Sequence, residues 1–365
     1  MMAGDSRTIR GVAIAQIGRV LGSAACLVVI MIVTLWALHV PPLPALIAIW
    51  TGAIGSAEAG YAAPLSNTLI KTSPLILTGL GVVVAWRGGM FSIGAEGQLL
   101  IGALAAAALW SAARQMPPAV LILTMMLIAS AAGALWGGIA GWLRVRRSVP
   151  EVISTIMLNY IALDIIGWLV TDPGPLHGKT QSGPHTDPLP SAVALPNLIP
   201  LAHSGAQVHL HLGVLLALAA VPCIWLYLYR TRAGFGLRVI GQNVEAARVA
   251  RIPIDRLRMQ SMLISGALCG LAGSIELLGV TGRLGRDFSG GWGYTAIPVA
   301  LLGGLSPVGA IFSALFFGAL AAGCNNAQRT AGVPSVVAYV IQAATVLAVV
   351  GARAWQHRKS GSETD

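Results

Sequence analysis

The sequence predicts an all-α protein: a polytopic membrane helical bundle of about ten spans, with some short helices broken by Gly and Pro. Three observations carry that expectation. Of 365 residues, 56% are hydrophobic and only 10% are charged, whereas soluble domains carry about 25% charged residues. Mean hydropathy is +0.76. The apolar residues fall in runs close to the roughly 20 needed to cross hydrocarbon, separated by short Arg-rich or Gly/Pro-rich connections.

Taken in order, the runs place spans near 18–40, 66–86, 91–112, 119–143, 150–171, 209–229, 259–280, 290–305, 308–325 and 333–352, the eighth and ninth short. Arg7, Arg10 and Arg19 precede the first run, which is long for a signal core and reads as an uncleaved span. Residues 43–63 are apolar but contain Glu58 and several glycines, which suits a re-entrant or interfacial piece. The whole chain, 1–365, reads as one membrane domain. Gly133-x-x-x-Gly137-x-x-x-Gly141 and Gly266-x-x-x-Gly270 suit close helix packing.

Loop charge sets the orientation. Arg144, Arg146 and Arg147 crowd one loop, and seven arginines from Arg230 to Arg258 fill another, at 230–258. Arg353, Arg358 and Lys359 close the chain, while 172–208 holds one lysine and no arginine. Arg-rich loops stay in the cytoplasm, so both termini are expected inside and the Pro-rich 172–208 loop outside, irregular and extended. The net charge of +10 is thereby explained without nucleic acid. Cys26, Cys223, Cys269 and Cys324 all fall in spans and read as packing residues. The histidines of the external loop, His177, His185, His203, His209 and His211, read as solvated, with no metal pattern. Gly174–Thr180 resembles a phosphate loop, but its first glycine position is Pro173. No catalytic constellation and no cofactor site is expected in this chain.

Four stretches carry polar groups where lipid would penalise them. In Phe91-Ser92-Ile93-Gly94-Ala95-Glu96-Gly97-Gln98, a carboxylate and an amide sit among glycines. Ser154, Thr155 and Asn159 form a polar stripe in the next span but one, with Glu151 at its start as a cap. Asp164 lies nearer mid-span, where structural hydrogen bonding and a functional role both remain open. From Ser265 to Gly323, glycines and prolines including Gly303 and Gly304 are dense enough to break helices, which suits either a cavity-lining backbone or close packing. In the cytoplasmic loop, Asn243 is a candidate N-cap, Glu245 and Arg248 form an i,i+3 pair around Ala246 and Ala247, and Pro253 is expected to stop the turn.

Together these stretches resemble the permease subunits of ABC importers in the ribose and branched-chain amino-acid superfamily, nearest the nucleoside and simple-sugar branch that works with basic-membrane-lipoprotein-type receptors. Pro74–Gly79, Gly89–Gln98, Glu151–Ala162, Gly241–Ile252, Ser265–Gly273 and Ala300–Gly309 carry the likeness. Two departures stand out: Ser92 where the family usually has Asn, and Arg251 where it usually has Gly. The resemblance implies an inner-membrane importer for nucleosides or related sugar-containing solutes. It implies a cytoplasmic ABC ATPase holding ATP-Mg, a second permease subunit (related chain or copy) and an extracytoplasmic solute-binding lipoprotein. It makes Gly241, Asn243, Glu245, Ala246, Ala247 and Arg248 the coupling helix. The pathway would be lined by Phe91, Ser92, Gly94, Glu96, Gln98, Ser154, Thr155, Asn159, Gly303 and Gly304. The rival reading is a secondary transporter in which Glu96, Asp164 or Glu276 binds a coupling proton.

Overall fold

The computed structural model describes residues 41–57, 60–178, 183–198 and 210–334, with Ile32, Trp36, Val337, Tyr339, Val340, Ala343, Ala344 and Leu347. Most of the expected spans 18–40 and 333–352, with Cys26, Glu58, Lys179, His203, His209 and the terminal basic residues, lie outside these. Among the described residues the secondary structure is helical, with three isolated β-bridges. The helices are α1 (Pro42–Ala53), α2 (Ala62–Arg87), α3 (Ala95–Ala112), α4 (Pro118–Arg147), α5 (Glu151–Val170), α6 (Gly213–Arg230), α7 (Arg232–Gln242), α8 (Val244–Val249), α9 (Ile254–Glu276), α10 (Trp292–Leu302) and α11 (Pro307–Ala331). Contacts divide the chain into two compact units, 55–319 and 1–54 with 320–365.

Seven described helices are long and apolar enough to cross a membrane: α2, α3, α4, α5, α6, α9 and α11. The expected span at 290–305 is not one of them. Its helix, α10, has 11 residues, about half of what hydrocarbon requires. Hydropathy missed this because residues 282–291 are irregular, with Gly290 and Gly291 at φ 56° and 85°. Conversely, the ninth run is not short: α11 has 25 residues.

In the larger unit, α2 is central. Thr72 to Ala85 is buried without a break, as a helix apolar all round requires. Pro74 lies inside it and cannot donate to Ile70 O; the Ser73 hydroxyl donates there instead, at 2.9 Å. The glycine motifs pack as the sequence predicts. A side chain at Gly266 would strike the Gly133 carbonyl, and one at Gly102 would strike Gly270. Ser130 bonds Ala267 O across the same seam at 3.1 Å.

The loop after α5 is extended yet anchored. Thr186 N bonds Leu284 O at 2.9 Å, Leu189 N bonds Gly282 O at 2.7 Å and Leu195 N bonds Leu278 O at 2.9 Å. His211 is not solvated: it is 1% exposed, packed between Gly213 and Gly279. Burial lowers its pKa to about 4, so it sits neutral in the fold. His177 and His185 are half-buried.

In the smaller unit, α1 has 12 residues, fewer than the roughly 20 a span needs. Asn326 Nδ2 donates to Ala48 O at 2.8 Å, and its side chain fills the space a Cβ on Gly52 would need.

Candidate functional site: a broken-helix crossing and a surface helix

The chain leaves α2 at Arg87 and enters α3 at Ala95, so residues 88–94 are irregular backbone flanked by two membrane helices. Such backbone must find partners inside the protein. α5 supplies them. At successive turns of one face, Glu151 Oε1 accepts from Phe91 N at 3.2 Å, Thr155 Oγ1 accepts from Ile93 N at 3.1 Å, and Asn159 Oδ1 accepts from Gly97 N at 2.9 Å. Asn159 Nδ2 also donates to Ile93 O at 2.9 Å. The i, i+4, i+8 spacing of these side chains matches one helix face, and they zip a strand-like segment along it. Ser154 turns back to its own helix, bonding Glu151 O at 3.2 Å. Glu151 is more than a cap: its second oxygen pairs with Arg144 at 3.1 Å while the carboxylate stays buried.

Ser92 closes the turn, its hydroxyl accepting from Gly94 N at 3.1 Å. Asn makes the same local bond, so this departure from the family pattern preserves the turn. Gly94 packs against Thr155 with no room for a side chain. Gln98 is 1% exposed, and its Oε1 has no partner among the described residues.

Glu96 joins this segment to α10. It is 3% exposed and accepts from the Ser289 hydroxyl, from Gly293 N at 2.8 Å and from Tyr294 N. A carboxylate on free backbone N–H groups is the favourable arrangement at a helix N-terminus. Gly293 has no alternative residue here, because a Cβ would run into the backbone of Ala95 and Glu96. Two helix starts thus meet at one buried carboxylate. Sequence reasoning placed Glu96 in the segment but not its partners Ser289 and Gly293; the signal was an intramembrane acid that needed donors.

Gly303 and Gly304 lie away from Glu96, toward the Arg87 end of the crossing. They follow α10 at its far end, about 15 Å along the axis from Gly293 at 1.5 Å per residue. Gly303 packs on Gly309, Gly304 has φ 69°, and Arg87 Nε donates to Leu305 O at 2.9 Å. Phe91 is 51% exposed, edge-on to Trp86. The other two intramembrane acids also have partners: Asp164 pairs with Arg286 at 3.5 Å, and Glu276 is hydrogen-bonded by the Trp292 side chain, near Lys71.

The second feature is α8. Asn243 caps it, its side chain accepting from Ala246 N at 3.0 Å. Glu245 and Arg248 form the expected pair at 2.5 Å, both exposed, as is Ala246, while Ala247 is buried. Pro253 does not stop this turn. The helix ends earlier, at Val249, and two residues on Arg251 turns left-handed at φ 53°, with Ile252 N bonding Ala247 O at 3.0 Å. Left-handed backbone favours Gly, which explains the family's usual residue there. Pro253 instead precedes α9. The loop is tied to the crossing by Gly241, where a side chain would collide with the Arg87 carbonyl, and by Gly89, packed on Ile240 and Gly241.

Comparison with known proteins agrees with this architecture. Residues 64–350 match the family model described as branched-chain amino acid transport system, permease component. The chain is 38% identical over 309 residues to the guanosine ABC transporter permease of Bacillus subtilis, covering 84% of this chain and 85% of that one. It is 37% identical over 306 residues to a glucose ABC transporter permease of Haloferax volcanii, covering 82% and 80%. It is 31% identical over 290 residues to a nucleoside ABC transporter permease of Lactococcus lactis, covering 79% of each. No solved structure matches to a significant degree. By the extent of the family match and of these likenesses, the chain belongs to the branched-chain amino acid transport system permease family.

Proposed function

We propose that this chain is the transmembrane permease subunit of an ATP-driven importer for nucleosides or related sugar-containing solutes. It sits in the inner membrane with both termini and α8 in the cytoplasm. It pairs with a second permease subunit and takes solute from an extracytoplasmic lipoprotein receptor. A separate ABC ATPase binds and hydrolyses ATP-Mg.

The observation that carries this reading is α8 and its footing. Glu245, Ala246 and Arg248 face outward, Ala247 roots the helix, and Gly241 backs on Arg87 at the mouth of the irregular segment. A push on α8 therefore reaches the 88–94 turn through packed backbone, and from there Glu96 and α10. Nucleoside and glucose permeases among the relatives support the solute class. The partnered state of Glu96, Asp164 and Glu276 favours ATP coupling over a proton carried by one of them.

The test is uptake in proteoliposomes containing the receptor and both permeases, with and without the ATPase. Uptake should require the ATPase and ATP. Replacing both Glu245 and Arg248 with Ala should abolish it while leaving membrane insertion intact, because an exposed ion pair contributes less than about 1 kcal/mol to stability. Solute accumulation without the ATPase, driven by an ion gradient, would overturn the reading.

A further inference from the structure

One face of α6 is apolar and turned outward: Leu215, Leu218 and Leu226 are exposed along it at helical spacing. A membrane helix turns such a face to lipid. Toward Arg230 the same face changes character. Trp225 and Tyr229 pack with ring centroids 5.8 Å apart. The Arg230 guanidinium lies over Trp225 at 5.8 Å, and Arg238 of α7 lies over Tyr229 at 4.9 Å and over Phe235 at 5.9 Å. Arginine and aromatic side chains thus stack without a break across the α6–α7 corner. The corner itself is fixed. Thr231 caps α7, its hydroxyl accepting from Gly234 N at 3.0 Å, and a side chain on Gly234 would strike the Tyr227 carbonyl. Stacking uses the face of a guanidinium and leaves the donors on its edge free. Among the described residues no carboxylate takes them: Arg230, Arg232 and Arg238 belong to none of the ion pairs, whereas Arg144, Arg248 and Arg286 are each matched by an acid. The buried Arg238 Nε has no hydrogen-bond partner. Phe235, one turn after Arg232, is exposed beside this unmatched charge.

We propose that the α6–α7 corner binds an anionic phospholipid of the cytoplasmic leaflet, with Arg230, Arg232 and Arg238 on the headgroup phosphate and Trp225, Tyr229 and Phe235 beside the glycerol and upper acyl chains. It takes from the importer reading only the cytoplasmic placement of α7 and α8. Three observations select this occupant. The corner continues the outward apolar face of α6, so acyl chains reach it. Aromatic rings at the end of a membrane helix sit at headgroup depth. Guanidinium edges match phosphate oxygens two at a time, and a basic pocket between helices on the cytoplasmic side suits an anionic headgroup. A zwitterionic lipid brings its own cation and would leave the three arginines unmatched. Bound lipid would also act at a distance. Helix α7 runs through Asn243 straight into α8, so a lipid that holds α7 to the leaflet steadies the footing against which the ATPase pushes.

The assembled transporter, purified in detergent with its ATPase, is offered phosphatidylglycerol and phosphatidylcholine, and retained lipid is counted by native mass spectrometry. Wild type should hold phosphatidylglycerol in preference. Arg230→Gln, Arg232→Gln and Arg238→Gln should each weaken its retention roughly five-fold, and the triple variant should lose one phosphatidylglycerol per copy of this chain. Tyr229→Leu, which keeps bulk and removes the ring beneath Arg238, should weaken it about three-fold. Arg147→Gln, an exposed arginine outside the stack, should change it less than about two-fold. The single variants keep the test decisive if the triple variant fails to assemble. Unchanged retention in the Arg230, Arg232 and Arg238 variants overturns the site, and so does equal loss in Arg147→Gln, which would reduce it to general surface charge. Displacement of the lipid by millimolar inorganic phosphate overturns it in favour of a free-anion site. Loss of the ATPase from the variants in lipid-free detergent overturns it by making these arginines an ATPase contact. In proteoliposomes, adding phosphatidylglycerol to phosphatidylcholine should raise ATP-dependent uptake several-fold for wild type and leave the triple variant unmoved; an equal response from both overturns the proposal. Uptake that needs no ATPase would overturn the importer reading and leave the lipid count standing.

Discussion

The α4–α9 seam and the 88–98 crossing use glycine in opposite ways. In the seam, Gly133, Gly266 and Gly270 sit within regular helices, and the missing side chains let two backbones touch. The backbone there stays helical, so apart from the Ser130 bond to Ala267 O the contact is dispersion and shape. In the crossing, glycines accompany backbone that has left the helix, and polar side chains from α5 and α3 restore the lost bonds. Glycine density in a membrane segment is therefore ambiguous alone. The polar stripe on a neighbouring helix distinguishes a broken segment from a packed one.

The largest effect expected from this contrast is at the seam. Gly266→Leu drives a side chain into the Gly133 carbonyl, where only backbone could yield. Overpacking typically costs about 1–3 kcal/mol and more where nothing can move. The variant should fail to accumulate in the membrane, measured by immunoblot and by thermal aggregation in detergent. Normal levels would mean the helices separate cheaply, and the seam would lose its structural standing.

The crossing should fail differently. Asn159→Ala strips partners from Gly97 N–H and Ile93 C=O, each unpaired buried group costing about 1–3 kcal/mol. The helices on either side keep their own bonds, so the protein should insert at near-normal levels yet lose most ATP-dependent uptake. Hydrogen exchange should rise at residues 91–97 and not along α4. Uniform loss of protein, as at Gly266, would erase the distinction between the two regions.

Much of this contrast was legible in the sequence. The GxxxG spacings announced the seam, because spacing alone sets which residues share a helix face. Asn243 announced a cap, and Ser154, Thr155 and Asn159 announced a stripe. Periodicity names a face, however, and not the element that covers it. Nothing local to Thr155 points 62 positions back to Ile93. The half-helix α10 was misread as a span for a related reason. Apolar composition registers burial, and a short buried helix after irregular backbone looks the same in a hydropathy window as one bathed in lipid. Gly303 and Gly304 were grouped with Glu96 by composition, although the length of α10 separates them from Gly293 and they lie instead toward Arg87. His211 was misread because a polar residue in a loop defaults to solvent, and only its anchoring partners reveal burial.

A smaller effect sharpens the role given to Ser92. Its hydroxyl makes a turn-closing bond to Gly94 N. Ser92→Asn should leave uptake within about two-fold, and Ser92→Ala should lower it several-fold by freeing that N–H, with guanosine uptake as the readout. Equal behaviour of the two variants would mean the side chain acts on solute or not at all, and not on the turn.

The smallest effect lies at Arg251, and it separates backbone strain from docking. Arg251 is one of three non-Gly residues with positive φ among those described, at 53°. Left-handed backbone costs a residue with a Cβ roughly 1–2 kcal/mol, and glycine removes that cost but loosens the unfolded chain. Arg251→Gly should therefore stabilise the end of α8 by about 1 kcal/mol or less. Arg251 is also exposed, on the surface α8 presents to the ATPase in the importer reading. If its guanidinium contributes to docking, Arg251→Gly should weaken ATPase association while protecting the α8 amides from exchange. If it does not, association should be unchanged and only the exchange should slow. Faster exchange in α8 would contradict the strain argument, because it would show that the Arg side chain, and not the backbone conformation, holds the end of the helix.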